Sequence, residues 1–279
     1  MGTLKQDIEK LKNVAQLDTE SKAELLKSLS QISLLTLAHA NAKTAKNAQF
    51  SQFESVILHL APADMAYKAL GRIGTVCPMA SEGCKSACLN TAGRGRFTMT
   101  QESRLRKTLY FILFRDEFMS HLEKDIARVQ KRVVSQNKKL VVRLNGTSDI
   151  AWENIKMGQS ANVFDRFSTV QFYDYTKVIR RLEKIQAISN YYVIFSASES
   201  NSENARTALK LNYNVAMVFS EIPERYKGHE VLNGDEHDFR FLDPKRGVIV
   251  GLNAKGKAKK DSSGFVRQVS QCATITKAA

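Results

Sequence analysis

No stretch of this 279-residue chain approaches the roughly 18 consecutive apolar residues a membrane span needs, so no membrane partner is expected. The opening MGTLKQDIEKLKN has helical amphipathic spacing and none of a signal peptide's apolar core, which points to a soluble, cytoplasmic protein. Cysteine is scarce, four residues in all, and three of them (Cys77, Cys84, Cys88) crowd one short segment. A secreted disulfide scaffold would spread more thiols through a shorter chain, so clustered thiols in a reducing compartment suggest metal instead. GxxxxGK[ST], HExxH and His-x-His are all missing, which disfavours P-loop hydrolysis, zincin proteolysis and two-histidine nickase chemistry. Negative charge is in short supply: 28 Asp and Glu against 42 Lys and Arg leave a formal +14. An anionic partner follows, and nucleic acid, DNA or RNA, is the expected one. With 43% hydrophobic residues the chain can fill a core, which excludes disorder and collagen.

Along the chain, residues 1–46 read as a helical arm of two helices. The first carries Leu4, Ile8 and Leu11, and the second starts near Asp18 or Thr19 and carries Leu25, Leu29, Ile32 and Leu35. HANAKTAKNAQFSQ has the small polar composition of a linker, and residues 47–279 are expected to form one domain. There a strand in SVILHL precedes the cysteine loop, and a long helix is predicted from Thr98 to Val134, opened by the capping box Thr98-x-x-Gln101. Strands in KLVVRLN, STVQFY, YYVIFSA, NVAMVFS and GVIVGLN follow, with helices in TKVIRRLEKIQ and SENARTALKLN between some of them. Apolar runs such as YYVIF fit strands buried on both faces. The fold class is α/β: a parallel βα barrel, complete or partial and TIM-like, with an open doubly wound sheet as the alternative.

In such folds the working residues stand at the C-terminal ends of strands. Those ends supply Asn145, Thr147, Ser148, Asp149 and Glu153; Tyr173, Asp174, Tyr175 and Lys177; Ser196, Ser198 and Glu199; Ser220 and Glu221; and Asn253 and Lys255. Tyr173 beside Lys177 could act as a nucleophile, and Tyr173 and Tyr175 could stack on bases. In Cys77-Pro-Met-Ala-Ser-Glu-Gly-Cys84-Lys-Ser-Ala-Cys88, three thiolates can converge on a cluster or ion. Zinc fits less well, since no second Cys pair or nearby His completes a four-ligand set. Three thiolates suit a four-iron cluster with one iron open, and Cys272 is expected to take no part. The segment Asn233-Gly-Asp235-Glu236-His237-Asp238, with Asp149, Asp174 and Glu199, offers a magnesium-binding alternative for nuclease chemistry, and the commoner role of such a segment is a solvated turn. Arg94, Arg96 and Arg104 after the cysteines, with Lys255 and Lys257 in the basic C-terminal segment, are the expected phosphate contacts; the two segments would form a track if they meet in space.

CPMASEGCKSACLNTAGRGR, RLNGTSDIAWE, VQFYDYTK and DFRFLDPKRGVIVGLNAKGKAKKD together resemble the phage "gene product eighty-eight" family, over about residues 53–267. More loosely, a cysteine loop after the first strand and a Ser-Asp after the second resemble the radical S-adenosylmethionine enzymes, although the cysteine spacing departs from their C-x3-C-x2-C. That likeness implies a βα barrel holding a 4Fe-4S cluster on Cys77, Cys84 and Cys88. It also implies S-adenosylmethionine as cosubstrate near Asn145, Ser148 and Asp149.

Overall fold

The computed structural model describes residues 4–37 and 50–268. Among the described residues ten strands form one mostly parallel sheet: β1 Leu35–Leu37, β2 Phe53–Leu58, β3 Lys139–Arg143, β4 Gln171–Thr176, β5 Tyr191–Ser196, β6 Val215–Phe219, β7 Arg225–Tyr226, β8 His229–Asn233, β9 Ile249–Asn253 and β10 Val266–Arg267. From β2 to β6 neighbours in sequence are neighbours in the sheet, after which come β9, β8 and β7, with β10 on the upper edge of β6 beyond β5. Winding in one direction is how a βα barrel is built, whereas a doubly wound sheet reverses its order. β1 and β7 end the strand order, so what is established is a mixed α/β fold with an open sheet.

Alternation along the strands sends side chains to two layers. Val56, Val142, Phe172, Val193 and Phe195 face the main core, packed with Leu109, Phe118, Leu122 and Ile126 of the helices Thr98–Leu113 and Arg115–Ser135. On the other face Val141 and Tyr173 pack with Phe239, and Ile194 with Ala216 and Val250.

Two helices are present where one was expected. Phe114 leaves helical geometry at φ −134°, and the Arg115 Nε donates to the Phe111 carbonyl at 2.9 Å while its guanidinium stacks 3.7 Å from the Phe111 ring. The capping box does not form either: Phe97 is the cap residue and the Gln101 amide donates to its carbonyl.

The N-terminal helices Leu4–Lys12 and Thr19–Ser30 match expectation, with Asp18 capping the Ser21 amide at 2.7 Å. The second ends before Ile32, and Leu35 opens β1, which pairs antiparallel with β2. Leu11, Leu25, Leu29 and Leu34 are buried in the main core, each burial contributing roughly 1.5–3 kcal/mol, so this arm is packed onto the sheet layer. Most of the expected linker lies outside the described residues, as does Cys272.

Candidate functional site

A cavity of about 570 Å³ opens at the C-terminal ends of the parallel strands. Cys77, Cys84 and Cys88 form one wall; Asn145, Ser148, Asp149, Lys177, Ser196 and Lys255 come from strand ends around it. The expectation that polar strand ends share one rim is met for these residues.

The cysteine wall is tied down from two sides. Ala63, held at φ +52°, presents its amide to the Cys77 sulfur at 3.3 Å, and the Asp149 amide donates to the Val76 carbonyl at 2.8 Å. Farther on, Ser81 caps the short helix Glu82–Ser86 by accepting from the Cys84 amide. Glu199 accepts from Ser81 Oγ at 2.8 Å and the Gly83 amide at 2.9 Å. A Cβ on Gly83 would stand 2.8 Å from the Glu199 carboxylate, so glycine is what allows this approach. Glu199 therefore positions the thiol loop and does not itself line the cavity.

Burial pushes the Cys77 thiol up to about 12, with Cys88, Asp149 and Cys84 adding to the rise. It also raises Cys88, against the Asn90 amide and the positive charges of Arg104 and Lys177. These two thiols are protonated at neutral pH and are weak nucleophiles, whereas a bound cation would displace their protons. Among the described residues no group of three or more His, Cys, Asp or Glu side chains is arranged to hold a single metal ion. A cluster is larger than one ion and needs thiolates set farther apart around a shared space. Cys77, Cys84 and Cys88 are free, half-buried thiols that line one cavity.

Opposite the thiols, expected catalytic groups turn out to be structural. β4 begins three residues later than STVQFY suggested, because the Val170 amide closes a turn on the Phe167 carbonyl and the Asn190 side chain caps the carbonyls of Phe164, Phe167 and Val170. Tyr173 and Asp174 are therefore mid-strand and buried, and neither lines the cavity. Tyr173 donates to Asp238 at 2.7 Å, and burial with that carboxylate holds its hydroxyl well above the usual range, which removes it as nucleophile or base platform. Asp174 accepts from the Asn145 amide at 2.7 Å and from Tyr191; burial raises it to about 7 against Arg143 and these donors. Tyr175 reaches the cavity, but the Arg143 guanidinium covers its ring at 4.5 Å.

Asn145, expected to touch a cosubstrate, is saturated internally: its Oδ1 accepts from Ser148 Oγ, the Ile150 amide and Trp152 Nε1, and its Nδ2 donates to Ile150 and Asp174. Asp149 is bound by Arg181 at 2.6 Å and by the Lys177 amide at 2.8 Å. Asp235 is paired with Lys255 at 2.6 Å and Asn253, and Asp238 with Arg143 at 3.3 Å. Asp235 and Asp238 of the acid-rich turn are thus engaged in ion pairs, while Glu236 is exposed. His237, on the cavity wall, is lowered by burial and by Arg240.

Lys177 stands apart among the cations that line the cavity. It is 8% exposed, lines the cavity, and its Nζ donates to Ser196 Oγ at 2.6 Å and Ser196 O at 3.4 Å. Among the described residues it has no carboxylate partner, whereas the lining cations Lys68, Lys85, Arg143 and Lys255 all have one. The Lys177 Nζ also lies 5.6 Å from the Phe265 ring centroid.

The basic candidates divide. Arg94, Arg96 and Lys257 are exposed beside the mouth. Arg104 is half-buried behind the cysteine loop, donating to Asn90 at 2.5 Å, and Lys255 is paired with Asp235.

A family model described as Gene product 88 matches residues 33–269. No curated protein and no solved structure matches the chain. The looser likeness to radical S-adenosylmethionine enzymes finds no support in these comparisons.

Proposed function

We propose, from the premise that this chain belongs to the phage protein family Gene product 88, that its cavity holds a thiolate-bound iron–sulfur cluster and that the protein acts on nucleic acid. The carrying observation is that Cys77, Cys84 and Cys88 line the same cavity as Lys177, Ser196 and Ser148. The one-directional strand order supports reading the sheet as a partial βα barrel, whose C-terminal mouth is the usual location of an active site. In this reading the three sulfurs hold the cluster, which supplies one-electron redox chemistry when bound. Lys177, steadied by Ser196, orients an anionic cosubstrate or substrate group; S-adenosylmethionine, with its carboxylate, is the candidate cosubstrate. Glu199 and Ala63 fix the thiol loop.

Protein purified without oxygen is expected to carry about four irons and matching sulfide per chain, with broad visible absorbance and little zinc. Cys88→Ala is expected to lose most of that iron while keeping its unfolding temperature within a few degrees. An iron-free, colourless, folded protein overturns the cluster, and so does iron content unchanged in Cys88→Ala.

A further inference from the structure

The two basic segments that are far apart in sequence meet in the fold. Gly256 sits at φ +57°, and a Cβ there would lie 2.8 Å from the Ala92 Cβ, so the turn Gly256–Lys260 rests directly on the turn that leads into Gly93–Arg96. Ala258 is buried between them, which leaves Lys257, Lys259 and Lys260 exposed on its flanks. Arg94 and Arg96 are exposed on the neighbouring turn. Asp261, the nearest carboxylate in the second segment, is committed to Ser263 and the Val266 amide.

Large apolar side chains stand exposed beside these cations. Phe97 is 54% exposed and Met99 83% exposed, and the Arg96 guanidinium lies 5.7 Å from the Phe97 ring centroid. Leu89 and Ala258, one from each turn, also line the cavity, so this surface runs onto its rim.

We infer that this surface binds single-stranded nucleic acid, with the phosphates on Lys257, Lys259, Lys260, Arg94 and Arg96 and an unpaired base stacked on Phe97. The inference rests on the nucleic-acid part of the reading above and adds the strandedness and the contact residues. Cations alone would take either form of nucleic acid, since phosphate contacts carry little structural preference. An exposed ring interleaved with them selects for a strand whose bases are free to stack. A cavity of about 570 Å³ at the end of the track lies in the range that accommodates a small ligand, and an unstacked nucleotide is of that size.

Fluorescence anisotropy with the full-length protein and labelled oligo(dT), oligo(rU) and a mixed-sequence duplex tests this between about 50 and 200 mM salt. Both single strands are expected to bind at least tenfold more tightly than the duplex, the DNA and RNA arms showing which sugar is preferred. Phe97→Ala is expected to weaken single-strand binding by about 5- to 100-fold while leaving duplex binding unchanged. Replacing Lys257, Lys259 and Lys260 with Gln is expected to flatten the salt dependence for every probe. Unfolding temperature and iron content serve as fold controls for these exposed positions. Equal affinity for duplex, or no effect of Phe97→Ala, overturns the inference and leaves nucleic-acid binding intact. Absence of binding to any probe overturns both, while the cluster stands or falls on the separate iron measurement.

Discussion

Asn145 shows how a residue chosen for chemistry can be doing structural work. Its side chain joins the loop after β3 to Trp152, Ser148, Ile150 and the buried Asp174, so truncation strands several donors at once. Asn145→Ala is expected to cost about 3 kcal/mol in denaturant unfolding; an unchanged midpoint would mean that the hub is energetically idle. The thiols, Lys177 and Ser196 were legible because soft ligands at close spacing, or polar groups just past a β-rich run, have few structural uses. Tyr173 and Asp174 were misread for a different reason. A three-residue error in where β4 ends turns mid-strand residues into apparent strand ends. Phe97 was passed over because exposure of a single aromatic leaves no mark on periodicity.

Between elements, the decisive contact is the one from the end of β5 to the cysteine loop. Glu199 holds both the Ser81 cap and the Gly83 amide across a sequence gap of more than 100 residues, and nothing local in either segment announces the pair. Glu199→Gln keeps the shape but loses a charge-assisted acceptor. In a Cys272→Ser background it is expected to speed thiol labelling of Cys84 and Cys88 by Ellman's reagent several-fold, with little change in unfolding temperature. Labelling at the parent rate would show that the loop is held by other contacts. Strand and helix identities were largely readable from the sequence, while boundaries were not. The helix break at Phe114 depends on a side chain taking over a backbone carbonyl, and β1 exists because β2 offers it an edge.

Across the whole molecule, the arm and the sheet layer are locked together through Lys107, which is 6% exposed and donates to the Leu34 carbonyl at 2.9 Å. Burial lowers its ammonium from 10.5 to about 8. Between those values the folded chain holds fewer protons than the unfolded one, so this residue's contribution improves as pH rises, and its full cost is present below about 8. Lys107→Met removes that cost, so its stability relative to the parent is expected to be more favourable at about pH 7 than at about pH 9.5, by about 2 kcal/mol in paired denaturant titrations. A difference independent of pH would show that the lysine keeps its ordinary pKa on folding and stays charged in the folded chain. The sequence by itself determined the α/β class, the excess of positive charge and the grouping of three thiols, because composition, periodicity and short spacing are local properties. Only the tertiary structure decided that the thiols share a cavity with Lys177, that Asp149 and Asp238 are spent on internal arginines, and that two distant basic turns meet at Ala92 and Gly256. Those outcomes depend on which strand ends converge, and convergence is set by long-range pairing that no local pattern encodes.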